Sequence, residues 1–171
     1  KKLILDYLEN MPTFDIVNKF NLESFKNAIE AVKREIANRY DFKGSRSEIT
    51  EKDKIYYILA DSEMKLNQIK EILLRNMVRQ VMDAKSIKFE KIEKASGNML
   101  KQQIQLIEGI DKEISQKIIK MVKGTKKKVQ LSIQGDQIRA SGKKRDELQD
   151  IISLIEKEEY PIPLKFINFR D

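Results

Sequence analysis

The sequence predicts an α+β protein in which one six-element pattern, β-α-β-β-α-β, is used twice. Three observations carry that expectation. Apolar residues switch between alternation and spacings of three and four in the same order in each half. Gly44 breaks the chain after the first helix of one half, and Gly124 does so eighty residues later. Leu148, Ile151 and Ile155 of the last helix repeat Leu66, Ile69 and Leu73 at an offset of 82. With 171 residues, 40% of them apolar and 36% charged, the chain can bury two small cores. Each half is a split βαβ, or ferredoxin-like, unit.

Thr13–Lys19 alternates as a strand. Asn21 caps a helix whose stripe runs Leu22, Phe25, Ile29, Val32, Ile36 and Tyr40. Glu48–Thr50 and Ile55–Ala60 form a hairpin around Glu51–Lys54. Asp61 or Ser62 caps the next helix, which presents Leu66, Ile69, Leu73 and Met77 on one face. Ser86–Ile92 closes the first unit. In the second, Met99–Ile107 is a strand, and Asp111 opens a helix with Ile114, Ile118, Ile119 and Val122 inward. Val129–Ile133 and Gln137–Ala140 flank Gly135-Asp136, a short hairpin signal. Pro161 and Pro163 precede a last strand, Leu164–Phe169. The expected boundaries are an extension at 1–10, a first unit at 11–93 and a second at 94–171, because Met11-Pro12-Thr13-Phe14-Asp15-Ile16-Val17 has the form of a natural start.

Charge is distributed unevenly. Residues 112–145 hold eleven Lys or Arg against Glu113 and Asp136, a net +9 in a chain of net +7. By repeat, residues 11–93 carry +2 and residues 94–171 carry +5. A pI near 9.4 favours a polyanionic partner. The chain has no Cys and no His, which removes thiolate chemistry, the commonest general base and the commonest metal ligand. No apolar run approaches the roughly 20 residues that cross a bilayer, so the expected location is the cytoplasm, away from membranes. There is no Gly-rich phosphate loop, and Asp111 and Glu113 are explained as helix-start acids. No enzyme is expected, no catalytic residue is assigned, and no metal or cofactor is called for.

The sharpest feature is Ser141-Gly142-Lys143-Lys144-Arg145, which leads from a strand into a helix. Bases in a first turn oppose the helix dipole, and a bound phosphate reverses that penalty. Arg145 is the strongest single anchor, since a guanidinium grips phosphate through two donors. The competing reading is a solvated face with Arg145 paired to Glu147 or Asp146. Lys126, Lys127 and Lys128 stand at the start of the preceding strand, and Lys117, Lys120 and Lys123 share one helix side. Joined, they make a backbone track; separately, they are edge protection and a wet helix face. Arg39, Lys43 and Arg46 surround Gly44 with Tyr40 and Phe42 among them, a composition that can stack nucleobases. Tyr40 is read as core and Phe42 as the freer ring. Tyr56 and Tyr57 point to opposite sheet faces, one of them into the core.

Segments Met11–Val17, Arg39-Tyr40-Asp41-Phe42-Lys43-Gly44, Ile133-Gln134-Gly135-Asp136-Gln137-Ile138-Arg139 and Ser141–Gln149, with the ending Phe166-Ile167-Asn168-Phe169-Arg170-Asp171, resemble the bacterial YajQ family. The resemblance covers residues 11–171. It implies two ferredoxin-like domains whose first strands are exchanged, so that Thr13–Lys19 joins the second sheet and Met99–Ile107 the first. It implies nucleotide binding, with links in the family to nucleic acid, including tRNA, and to cyclic di-GMP. No catalytic motif comes with it. The resulting expectation is a non-enzymatic nucleotide-binding protein in which Lys143, Lys144, Arg145 and Arg139 hold phosphate while Arg46 or Phe42 meets a base in the cleft between units. The alternative is an RNA or tRNA module using Lys117, Lys120, Lys126, Lys127 and Lys128. A protein scaffold is the third reading.

Overall fold

The computed structural model describes residues 11–171; the expected extension at 1–10 lies outside the described residues. Strands and helices follow the order β1 (Thr13–Val17), α1 (Leu22–Asn38), β2 (Glu48–Lys52), β3 (Ile55–Ala60), α2 (Glu63–Arg79), β4 (Ile87–Ala95), β5 (Met99–Leu106), α3 (Lys112–Gly124), β6 (Val129–Gln134), β7 (Gln137–Gly142), α4 (Arg145–Glu156) and β8 (Lys165–Arg170). They build two four-stranded antiparallel sheets, ordered β6-β7-β1-β8 and β2-β3-β5-β4. Each has the strand order of a ferredoxin-like domain, but the central strand comes from the other half of the sequence. β1 sits between β7 and β8, and β5 sits between β3 and β4. The exchange expected for the first strands is therefore present.

Packing partitions the chain differently from the repeat. One compact unit is Phe20–Ile107; the other joins residues 11–19 to Glu108–Asp171. Counted over these units, net charge is +4 and +3 respectively. The strong basic field is thus a property of the 112–145 segment, not of a whole unit.

In unit Phe20–Ile107, α1 and α2 cover one sheet face with Phe25, Val32, Leu66, Ile69, Leu73 and Met77 against Ile49, Tyr56, Ile58 and Ile104. Tyr56 meets Phe25 edge to face at 5.0 Å. Tyr57 points the other way, beneath the Lys101 ammonium at 3.9 Å, as strand alternation requires. In the second unit, Phe14 and Ile16 of β1 are fully buried, as are Ile118, Ile138, Ile151 and Ile155. Phe14 also contacts Phe166 and Phe169, each at 5.8 Å between ring centres. Burying an aromatic of this size is worth about 2 to 3 kcal/mol, so β1 is a large share of that core.

Local chemistry sets the element ends. Asn21 accepts from Ser24 N–H, Ser62 from Lys65 N–H and Asp111 from Ile114 N–H, capping α1, α2 and α3. The turn between β2 and β3 places Asp53 and Lys54 at φ 53 and 63, matching a mirror-image hairpin turn. Both ends of the expected α1 stripe fail here: Leu22 is 45% exposed and Tyr40 is 88% exposed, neither part of the buried face. The Asn38 amide donates to Arg34 C=O, and Arg39 turns extended, at φ −80 and ψ 132. The helix stops, and its periodicity no longer governs residue 40. Phe42, two residues on, takes the inward place.

α2 ends in a Schellman motif: Met82 N–H donates to Met77 C=O and Val81 N–H to Val78 C=O. The left-handed position is Val81, at φ 58 and 91% exposed. A β-branched side chain there is costly and gains no packing. Val81→Gly is expected to raise unfolding stability by about 1 kcal/mol, read by denaturant titration; an unchanged or lower midpoint would contradict the motif.

Candidate functional site

The β6–β7 register runs from Val129↔Gly142 to Gln134↔Gln137, so the residues before β6 and those after β7 meet at one end. α3 finishes at that end and α4 starts there. β1 begins there too, with Thr13 opposite Ser141 and Pro12 C=O accepting from Gly142 N–H at 3.1 Å. β8 finishes there, with Arg170 opposite Thr13. The topology therefore gathers Lys123, Lys126, Lys127, Lys128, Lys143, Lys144, Arg145 and Arg170 on one end of the unit. Asp111, Glu113 and Asp136 belong to the opposite end, as do Glu156, Glu158 and Glu159 at and beyond the close of α4. Such a separation makes a directed field along the unit.

At the basic end, Lys144 occupies the N-cap of α4 with extended backbone, φ −122 and ψ 127. Lysine has no acceptor, so the first N–H groups of this helix receive no side-chain cap from it. Asp146 and Glu147 lie in the first turn and complement the dipole. Arg145 pairs with Asp171 at 3.3 Å, both strongly exposed; a pair of this kind contributes under about 1 kcal/mol. Lys127 reaches Asp150 of α4 at 2.6 Å, tying the lysine turn to the helix. A shallow recess beside them is lined by Pro12, Thr13, Arg145, Leu148, Gln149, Phe169, Arg170 and Asp171. Gly142 does not open the backbone to a ligand, as its sequence position invited. It is buried, and a Cβ there would stand 3.3 Å from Leu148 and 3.4 Å from Val129, so its smallness serves packing.

The other sequence candidates lie elsewhere. Arg139 is on the sheet face turned away from α3 and α4, where it holds Asp15 through two hydrogen bonds of 2.8 and 3.2 Å; Asn168 donates to the same carboxylate at 2.8 Å. Lys117 lies over the Tyr160 ring at 5.4 Å, midway along α3, and Lys120 is exposed one turn on. Arg46 and Phe42 belong to unit Phe20–Ile107. Arg46 N–H donates to Asp61, its guanidinium lies 3.5 Å from the same carboxylate, and it donates to Gly97 C=O at 2.9 Å. Ser45 and Ser47 also donate to Asp61, which holds that carboxyl below its usual range, the Ser45 hydrogen bond foremost. Phe42 is only 4% exposed, with the Lys65 and Arg39 cations 4.5 and 5.7 Å from its ring centre. A base stacks on Phe42 only if these groups move. A larger recess, about 240 Å³ and lined by Lys33, Ile36, Ala37, Ser47, Glu48 and Ile49, lies between α1 and β2 of unit Phe20–Ile107. Arg170 was missed in the sequence; only the pairing of β8 with β1 brings it to Arg145.

Two outcomes test this geometry. Phe42→Ala should cost about 3 to 5 kcal/mol of unfolding free energy, while Tyr40→Ala should leave it unchanged within about 0.5 kcal/mol. The Asp15 carboxyl is held below its ordinary value, first by the Arg139 hydrogen bond, against burial and with help from Asn168. A carboxyl depressed in the folded state stabilises above its unfolded value, near 4, and loses that stabilisation as pH falls through the folded one. Melting temperature should therefore drop on acidification below about pH 4, and Asp15→Asn should flatten that limb while lowering the neutral-pH plateau.

Among the described residues, no helix is long and apolar enough to cross a membrane. The family model described as nucleotide-binding protein YajQ-like matches residues 12–170. A nucleotide-binding protein of Magnetococcus marinus is 46% identical over 161 residues, covering 94% of this chain and all of that one. A second, from Oleidesulfovibrio alaskensis, is 44% identical over 162 residues, covering 94% and 99%. A third, from Paramagnetospirillum magneticum, is 41% identical over 161 residues, covering 94% and 100%. With sheet order, exchanged strands and near full-length similarity in agreement, this chain belongs to the YajQ-like nucleotide-binding protein family.

Proposed function

We propose that this chain is a non-enzymatic, cytoplasmic nucleotide-binding protein that grips the phosphates of its ligand at the basic end of the unit formed by residues 11–19 and 108–171. The observation that carries the reading is the convergence of two basic segments, 126–128 and 143–145, on the start of a helix whose N-cap is itself a lysine. Uncapped N–H groups, a helix dipole and converging cations together favour an anion of two or more charges. Arg145 supplies the planar two-donor contact and exchanges Asp171 for phosphate; Lys143 and Lys144 add charge. Arg139 serves indirectly, by fixing β1 through Asp15. The family and the names of the relatives support nucleotides as the ligand class, and cyclic di-GMP, with two phosphates and purine bases, is the candidate to try first.

RNA is the second reading. Lys117, Lys120 and Lys123 extend the basic end along α3 beyond what one nucleotide needs, and a polymer could use the whole track. The two readings separate by salt. A small ligand at Arg145 should lose little affinity between low and moderate salt, whereas a strand neutralising many lysines should lose about 10³-fold or more. Calorimetric titration with nucleotides and a short RNA at two salt concentrations is the test. The expected result is saturable one-site binding of a nucleotide, lost in the Lys143→Ala/Lys144→Ala/Arg145→Ala variant with melting temperature unchanged. Binding of RNA alone, collapsing with salt, would move the function to the nucleic-acid reading; heat from neither ligand would leave a protein partner in its place.

A further inference from the structure

Four strands form the sheet edges: β6 and β8 in one unit, β2 and β4 in the other. Three of them carry the usual protections against pairing with another chain. β2 holds Glu48, Glu51 and Lys52; β4 holds Lys88, Glu90, Lys91, Glu93 and Lys94 and has a register shift; β8 holds Lys165 and Arg170 and a left-handed Asn168. β6 differs. Its sequence, Val129-Gln130-Leu131-Ser132-Ile133-Gln134, has no charge and no Pro, and among the described residues its outer edge has no strand partner.

Hairpin geometry fixes what that edge offers. β6 and β7 are joined by the two-residue turn Gly135-Asp136, with Gly135 at φ 64. The residues flanking such a turn exchange both hydrogen bonds. Gln134, Ser132 and Gln130 therefore bond to β7, while Val129, Leu131 and Ile133 present N–H and C=O outward. The same three side chains lie on the helix side of the sheet, opposite Gly142, Ala140 and Ile138 in turn. Ile133 is 46% exposed.

We propose that β6 pairs antiparallel with β6 of a second copy of this chain, across a two-fold axis at Leu131. Leu131 then faces its own counterpart, Val129 faces Ile133 of the other copy, and the two sheets continue as one of eight strands. Charge argues for this occupant. The turns that flank β6 and the two ends of α3 are basic at one end, with Lys123, Lys126, Lys127 and Lys128, and net acidic at the other, where Asp111, Glu113 and Asp136 outweigh Lys112. An antiparallel two-fold pairing sets each basic end against the partner copy's acidic end, with Lys126 level with Asp136. A parallel arrangement would oppose like charges. An isologous contact also closes at two copies, so the unprotected edge is consumed without growth into fibres.

The absence of cysteine from this chain makes the test direct. In an antiparallel hydrogen-bonded pair the two Cα atoms are about 5.5 Å apart, within disulfide reach. Leu131→Cys should give a covalent dimer on mild oxidation. Gln134→Cys, which lies opposite Lys128 of the other copy, should give none beyond the slow background. Sedimentation of the unaltered full chain should show a species of twice 20.1 kDa that dissociates on dilution. Asp136→Lys should shift the equilibrium to monomer, and Asp136→Lys/Lys126→Asp should restore it. No nucleotide enters these experiments, so their outcome is separate from the ligand reading. A monomer at every concentration, or Leu131→Cys linking no faster than Gln134→Cys, would overturn the proposal.

Discussion

The placement of β1 in the sheet of the far half is the constraint on which the rest depends. β1 brings Phe14 and Ile16 into a core built otherwise from residues more than ninety positions away, and it pairs on both sides. Its side chains alternate in role. The inward pair fills the core, while Asp15 on the other face is locked by Arg139 of β7 and Asn168 of β8. Removing that carboxylate would leave a half-covered guanidinium without its partner, and one-sided loss of such a pair is costly. Loop closure over so long a separation costs chain entropy, which the aromatic packing and the doubled strand pairing offset.

That same strand builds the basic end. Pro12 receives Gly142 N–H, Thr13 lies opposite Ser141 on one side and Arg170 on the other, so the start of β1 stands between the β7–α4 corner and the chain's last residues. Arg145 and Arg170 become neighbours of one recess through this arrangement alone. The lysine turn at 126–128 joins because β6 starts where β7 ends. Charge and topology are linked here by geometry: the β6–β7 hairpin joins the segments at 126–128 and 143–145, and the exchanged β1 sets its own start and Arg170 beside them.

Much of this was legible in the sequence, and the exceptions have physical causes. Periodicity found the four helices and eight strands of the described residues, since each buries one face of a two-layer unit. The corner at 141–145 stood out because bases at a helix start oppose its dipole. Besides the burial of Phe42 and the arrival of Arg170 beside Arg145, three details were out of reach. Tyr40 continued a helical spacing that the backbone had already abandoned at Arg39. Gly142 looked like an opening for ligand but is filled by Leu148 and Val129. Arg139 counted as one more cation, yet its partner is Asp15, 124 residues away in sequence. Spacing describes an element's own period; it says nothing about which distant group will neutralise a charge.

The measurement that bears most directly on this account is a two-dimensional amide spectrum of labelled protein, recorded through a titration with cyclic di-GMP and with inorganic pyrophosphate. The account predicts that the earliest and largest shifts fall on the amides of Lys126–Lys128 and Lys143–Glu147, with Arg170 moving in step. Shifts centred instead on Phe42, Arg46 and Asp61, with the α4 start silent, would contradict it.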